Sequence, residues 1–203
     1  NCYLDAEAVI TFFRMTDRKH IFITGSRGSG KSHLVNNMLK HMSDSFNLLQ
    51  SHRTDTPQVV IKSNLVADNK EFVIGVPRTS GINPASKGNN MTIIEDGFIN
   101  CAIPAIDTHL DTTPERLFVI DELGYLESSC IPFQKAVEKL LDNSHVLAVI
   151  RKQSTEFLNR ICNRKDVLVI DIDSTFETLS CIIMASGMSK RFGSNKLITD
   201  FNG

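Results

Sequence analysis

The segment Gly25–Ser32, with the sequence GSRGSGKS, constrains the fold of this chain more than any other feature. An apolar, β-branched run, His20–Thr24, precedes it and is typical of a buried strand. Residues Ser32–Met42 follow it, with apolar side chains at the spacing of an amphipathic helix. Strand, glycine-rich turn and helix in this order match the phosphate-binding pattern G-x-x-x-x-G-K-[ST], and so predict a P-loop.

The residue types of this loop suit the binding of a triphosphate. Glycines allow backbone N–H groups to approach phosphate oxygens closely, and the N-terminus of the following helix adds a partial positive charge. Lys31 is predicted to reach the terminal phosphates, and the Ser32 hydroxyl is predicted to bind Mg²⁺. The residues predicted to bind the nucleotide are Gly25, Ser26, Arg27, Gly28, Ser29, Gly30, Lys31 and Ser32.

Beyond the loop, predicted strands alternate with predicted helices. The apolar segments Leu117–Ile120, His145–Ile150 and Val167–Ile170 are typical of buried strands, and Pro132–Leu141 and Glu156–Cys162 of helices. This alternation predicts an α/β protein of the P-loop NTPase fold, with a mainly parallel sheet covered by helices on both faces. We expect a lead-in at residues 1–17, the P-loop domain at 18–174 and a separate segment at 175–203.

A second acidic site follows the strand Leu117–Ile120. Ligands of parallel α/β sheets bind at the carboxyl ends of the strands, which is where Asp121 and Glu122 are expected. Asp121 is predicted to hold Mg²⁺, directly or through water. Glu122 is predicted to orient or deprotonate the attacking water, so that Glu122 and Lys31 carry the catalysis.

From about residue 20 to 172 the chain resembles the thermophilic nucleoside-triphosphatase family, also called cancer-related NTPases. The resemblance rests on HIFITGSRGSGKSHLV, on LFVIDELGYLE and on NRKDVLVIDI. It implies slow, Mg²⁺-dependent hydrolysis of the terminal phosphate of ATP, GTP and similar nucleotides, with little selectivity for the base. It also implies that Gly124 shapes the turn after the acidic pair and that Glu127 is the final acid of the motif.

The C-terminal residues 175–203 resemble a different family. The run Cys181–Ala185 and the loop SGMSKRFGSNK look like the first strand and phosphate loop of molybdenum-cofactor-type nucleotidyltransferases. That resemblance implies a fusion with such a domain, of which this sequence carries only the start. Arg191 and Lys196 would then neutralise a triphosphate.

Charge, hydropathy and cysteine content indicate which classes of partner are expected and in which compartment the protein acts. The net charge of −1 disfavours a general nucleic-acid binder. No apolar run reaches the ~18 residues of a membrane helix, so no membrane partner is expected. The five cysteines form no C-x-x-C pair and indicate reduced thiols in a cytoplasmic protein.

These features predict a Mg²⁺-dependent nucleoside triphosphatase whose partner is ATP or GTP. Two alternatives remain: a small-molecule or nucleoside kinase, and a nucleotide-binding regulatory module of the nucleotidyltransferase fusion. The segment Asn163–Asp166 only superficially resembles a guanine-reading motif, because it precedes a strand. Arg151, Arg160 and Arg164 follow later strands and are candidates to reach the nucleotide, although a solvated surface is the favoured interpretation.

Overall fold

A computed structural model describes residues 5–42, 45–78 and 91–173 of the chain. Within these residues, eight strands form one sheet: β1 (His20–Gly25), β2 (Phe46–Arg53), β3 (Val59–Ser63), β4 (Phe72–Pro77), β5 (Met91–Ile93), β6 (Leu117–Leu123), β7 (His145–Arg151) and β8 (Val167–Asp171). The strand order is β5-β4-β3-β2-β6-β7-β1-β8.

The helices are α1 (Ala6–Arg14), α2 (Lys31–Met42), α3 (Glu95–Gly97), α4 (Ile103–Thr112), α5 (Ile131–Asn143) and α6 (Glu156–Cys162). A π-helical turn, Phe98–Ala102, joins α3 to α4. The sequence predicts a break near Pro104, and the π turn lies directly before it. Pro104 has no N–H to donate to the carbonyl of Asn100, so the regular helical hydrogen bonding is interrupted there. Short 3₁₀ turns lie at Ala67–Asn69 and Glu127–Ser129.

The sheet has a parallel and an antiparallel part. Strands β2, β6, β7, β1 and β8 pair in parallel, which confirms the predicted α/β fold with a mostly parallel sheet. Strands β2 to β5 pair antiparallel and extend the sheet on one side. The sequence did not predict this antiparallel part or strand β2.

Side chains of the central strands alternate between two cores. Ile21 and Ile23 of β1 pack under α1 and α2, whereas Phe22 between them packs under α4, α5 and α6. This alternation is the two-residue period of a strand whose faces are both covered by helices. The core under α1 and α2 includes Val9 and Ile10 of α1, so residues of the predicted lead-in pack against the sheet.

The parallel strands β1, β6, β7 and β8 end at the same edge of the sheet. Their register places Gly25 of β1 beside Arg151 of β7, and Asp121 of β6 beside Val149 of β7. On the other side of β6, Gln50 of β2 lies beside Asp121. The P-loop and the acidic pair are therefore brought to one edge by strand pairing. The predicted segment 175–203 lies outside the described residues.

Candidate functional site

The loop between β1 and α2 has the backbone shape that its sequence predicts. Gly28 and Gly30 have φ angles of 76° and 95°, a region that side chains with a Cβ rarely adopt. The glycines at these two positions therefore permit the turn that leads into α2. The N-terminus of α2 begins at Lys31, directly after the turn.

Lys31 folds back over its own loop. Its ammonium nitrogen Nζ donates to the carbonyl oxygens of Gly25 at 2.9 Å and Ser26 at 2.8 Å. Ser26 is held from the other side, because its N–H donates to Asp173 at 2.7 Å and its hydroxyl to the same carboxylate at 3.0 Å. Lys152 bridges Asp173 and Asp171 at 3.0 and 2.8 Å, which connects the loop to the ends of β7 and β8.

Charge pairing sets the pKa of these acids. The hydrogen bond from Lys152 lowers the pKa of Asp173. Burial alone would raise the pKa of Asp171, but the hydrogen bonds that it accepts from Lys152 and from the N–H of Asp173 bring the net shift downward. Both acids are thus held in the charged form beside the loop.

The acidic pair lies opposite the loop. The amide Nε2 of Gln50 donates to Asp121 Oδ2 at 3.0 Å and so orients that carboxylate. Glu122 accepts two hydrogen bonds from Arg151, from Nε to Oε1 at 3.0 Å and from a terminal nitrogen to Oε2 at 3.2 Å. This fork raises the pKa of Arg151.

Glu127 closes the turn after the acidic pair. Its Oε2 accepts a hydrogen bond from the N–H of Gly124 at 2.9 Å, and its side chain is buried. Burial raises the pKa of Glu127, against the opposing effect of its hydrogen bonds with backbone N–H groups. The two residues that the resemblance assigned to this turn are therefore in direct contact.

One cavity of about 750 Å³ contains the predicted site residues. Its lining includes the whole loop Gly25–Ser32, both acids Asp121 and Glu122, and Gly124 and Glu127. It also includes Arg151 and Lys152 of the β7 end and Ser51, His52 and Arg53 of the β2 end.

The structure separates the three candidate arginines. Arg151 lines the cavity, whereas Arg160 pairs with Glu138 at 2.6 Å and Arg164 pairs with Asp166 at 2.8 Å. The segment Asn163–Asp166 lies directly before the start of β8, whereas the P-loop lies directly after the end of β1. Because β1 and β8 are parallel, the two segments lie at opposite ends of these strands.

Sequence reasoning missed Gln50, Asp173 and Lys152 as neighbours of the site. A signal for the last two was present, because both follow strands that run parallel to β1 and so end at the same edge. Gln50 carried no such signal, because its strand was not predicted. The resemblance of the motif LFVIDELGYLE implied Gly124 and Glu127, and the fold explains their positions.

The donor set fits Mg²⁺. No group of three or more His, Cys, Asp or Glu side chains within the described ranges could hold a metal ion. Mg²⁺ does not require one, because it binds through one or two protein oxygens together with phosphate oxygens and water. Ser32 and Asp121 supply a hydroxyl and a carboxylate to the same cavity.

Among the described helices, none combines the length and apolar character that crossing a bilayer requires.

Known proteins resemble this chain along most of its length. The nucleoside-triphosphatase THEP1 of Thermotoga sp. (strain RQ2) is 26% identical over 155 residues, which is 75% of this chain and 86% of the relative. THEP1 of Thermotoga maritima is 23% identical over 154 residues, covering 75% and 86%.

Two solved structures share the fold. The crystal structure of THEP1 from Aquifex aeolicus has a TM-score of 0.60 and 18% identity, covering 78% of this chain and 95% of that chain. The solution structure of a human cancer-related nucleoside triphosphatase has a TM-score of 0.54 and 19% identity, covering 75% and 88%. The model of the family described as NTPase matches residues 20–177, more than half of the sequence. This chain belongs to the NTPase family, as its loop and acidic motif predicted.

Proposed function

We propose that the protein hydrolyses the terminal phosphoanhydride bond of nucleoside triphosphates, with Mg²⁺ as cofactor and with little selectivity for the base. The observation that carries the proposal is the shared cavity of the loop Gly25–Ser32 and the acidic pair Asp121–Glu122. Its relatives are named nucleoside-triphosphatases, which supports the same reaction.

The loop binds the phosphates. Lys31 exchanges its two carbonyl partners for phosphate oxygens, so its ammonium group neutralises charge on the terminal phosphates. Backbone N–H groups of the loop and the N-terminus of α2 add further donors. These groups also stabilise the charge that accumulates as the terminal bond breaks.

Ser32 and Asp121 are the residues proposed to hold Mg²⁺. When bound, the ion would supply positive charge that offsets the negative charge of the phosphates. Gln50 keeps the Asp121 carboxylate oriented for this task through its 3.0 Å hydrogen bond.

Glu122 acts on water. Its carboxylate lies next to Asp121 in the chain and faces the same cavity, so it can hold a water molecule for in-line attack on the terminal phosphorus. The water oxygen bonds to the terminal phosphorus while the bond from this phosphorus to the bridging oxygen breaks. The nucleoside diphosphate leaves with the bridging oxygen, and inorganic phosphate forms with the water oxygen and its protons.

Low base selectivity is supported by the position of the segment Asn163–Asp166. It lies at the edge of the sheet opposite the P-loop, and its Asp166 is engaged by Arg164 at 2.8 Å. This segment therefore lies away from the P-loop, which supports the proposal that it does not read the base.

Phosphate release from ATP, GTP, CTP and UTP, with and without Mg²⁺, tests the proposal. We expect release from all four only with Mg²⁺, and without any added acceptor, which distinguishes hydrolysis from a kinase. Glu122→Gln should lower kcat by about 10²–10⁴-fold while nucleotide binding persists. Lys31→Ala should weaken triphosphate binding as well.

Matched controls are Glu156→Gln, whose side chain is 96% exposed, and Lys40→Ala at the far end of α2. Both should keep the parent activity. Full phosphate release by Glu122→Gln would exclude the proposed role of this carboxylate, and release without Mg²⁺ would exclude the metal requirement.

We further propose that the protein acts in the cytoplasm without a nucleic-acid partner, and that residues 175–203 begin a fused nucleotidyltransferase domain. Both proposals rest on the sequence. A longer coding sequence that continues this domain in frame would support the fusion, and a stop codon directly after Gly203 would exclude it.

A further inference from the structure

Arg151 holds the carboxylate that the proposed reaction needs. Its guanidinium donates to both oxygens of Glu122, at 3.0 and 3.2 Å. In this arrangement both carboxylate oxygens accept from a cation, which fixes the orientation of the carboxylate and leaves each oxygen one of its two lone pairs for water. Arg151 therefore restrains the carboxylate that is proposed to hold the attacking water.

Strand pairing places Arg151 between the two halves of the site. It is the register partner of Gly25, the first residue of the loop, and β7 also pairs with β6, which carries Glu122. Arg151 lines the same cavity as Lys31. The side chain thus lies beside both the proposed phosphate site and the acidic pair.

A terminal phosphate offers Arg151 the same kind of partner that Glu122 offers. A guanidinium binds two oxygens of a carboxylate or of a phosphate with the same planar fork. The pair is also accessible, because the Arg151 and Glu122 side chains are 46% and 28% exposed. Ion pairs with such exposure add little to stability, so exchanging the partner costs little.

We propose that Arg151 exchanges Glu122 for the terminal phosphate when a nucleoside triphosphate binds, and thereby frees Glu122 to hold the attacking water. The inference rests on the proposed function and adds a phosphate sensor to it. A diphosphate has no terminal phosphate at this position and leaves the Arg151–Glu122 pair closed. Arg151 thus couples recognition of the substrate to release of the water-binding carboxylate.

The affinities of a non-hydrolysable ATP analogue and of ADP test this exchange. Arg151→Gln should weaken binding of the analogue by about tenfold, because a charge-assisted fork is lost, and leave ADP binding unchanged. Glu122→Gln should tighten binding of the analogue several-fold, because the competing carboxylate is neutralised. In the Arg151→Gln background, Glu122→Gln should make no further difference.

Arg160→Gln is the matched control, because Arg160 has the same exposed fraction of 46% and pairs with Glu138 outside the cavity. Its affinities should equal those of the parent. Arg151→Lys keeps the charge without the fork and should restore part of the analogue affinity. Thermal unfolding of each variant checks that the fold is retained.

Equal effects of Arg151→Gln on the ATP analogue and on ADP would overturn the exchange, as would additive effects of the two substitutions. These outcomes are independent of hydrolysis. Absence of phosphate release from all four triphosphates would contradict the proposed function, and full release by Glu122→Gln would contradict the role of Glu122, whereas the ratio of analogue affinity to ADP affinity tests the exchange by Arg151.

Discussion

His20 shows how strongly burial can change the pKa of a single side chain. It is fully buried at the start of β1, where its Nδ1 accepts from the N–H of Val146 at 3.2 Å. Burial lowers the pKa of His20 from 6.5 to about 4, although Asp166 lies 3.5 Å from its Nε2 and acts in the opposite direction. The loss of hydration outweighs this attraction, so the folded protein keeps His20 neutral.

Acid should therefore destabilise the protein through His20. Between pH 6.5 and about 4 the unfolded chain binds a proton that the folded chain does not, so stability falls as the pH is lowered through this range. From pH 7 to pH 5 this single group should remove about 2 kcal/mol from the free energy of unfolding. Urea unfolding at both pH values measures the change.

His20→Asn offers the comparison, because an amide oxygen can accept the hydrogen bond of Val146 without titrating. It should lose less stability than the parent between pH 7 and pH 5. The exposed His41→Asn serves as control and should keep the parent slope. An unchanged slope in His20→Asn would contradict the assignment.

The roles proposed for single residues were predictable from the sequence where the residues belong to a short sequence motif. The P-loop motif is one continuous stretch of sequence, and so is the apolar strand with the two acids that follow it. The structure brings these two separate stretches into one cavity. The contact of Arg151 with Glu122 was not predictable, because it depends on the pairing of β7 with β6 and on side-chain orientation. The roles themselves stay proposals until the variants are measured.

Among whole elements, strands β1, β6, β7 and β8 and helices α2, α5 and α6 match their predicted positions, but α1 and β2 were missed. Helix α1 did carry signals, since Asp5 caps its first turn by accepting from the N–H of Glu7 and Val9 and Ile10 face the core. Strand β2 carried a misleading signal, because its buried positions alternate Asn47 with Leu49. A polar side chain at a core position disrupts the two-residue hydrophobic period.

Helix α1 should contribute to the stability of the folded domain. Ile10→Ala removes a side chain that is 4% exposed and should lower the free energy of unfolding by about 2–4 kcal/mol, because it leaves a cavity under the helix. Phe12→Ala on the same helix changes a side chain that is 47% exposed and should alter it by less than about 0.5 kcal/mol. Chemical denaturation measures both, and equal effects would show that α1 does not pack as described.

In the whole molecule, Asn47 connects β2 to the helical layer. Its Nδ2 donates to His109 Nδ1 and to the Thr113 hydroxyl, each at 2.8 Å. His109 Nε2 lies 2.7 Å from Ser144 Oγ, which itself donates to the carbonyl of Pro114. His109 therefore donates to Ser144 through Nε2 and accepts from Asn47 through Nδ1, and burial lowers its pKa.

Replacing Asn47 should destabilise the molecule although the new side chain is apolar. Asn47→Leu leaves His109 and Thr113 without a donor in the core, which should cost about 1–3 kcal/mol of unfolding free energy. Asn36→Leu, on the exposed face of α2, is the control and should change stability by less than about 0.5 kcal/mol. A melting temperature equal to that of the parent in Asn47→Leu would argue against this network.

Strand β2 pairs with β3 on one side and with β6 on the other, and these two pairings differ in how easily they form during folding. Its antiparallel partner β3 follows closely in sequence and pairs in turn with β4, so this meander can form early from local contacts. Its parallel partner β6 pairs Phe46 with Leu117, and closing that long loop costs chain entropy before any contact compensates for it. We therefore expect β2 to dock against β6 late in folding. Since Gln50 of β2 donates to Asp121 of β6, we expect the Asp121 carboxylate to be held in its final orientation only after these strands have paired.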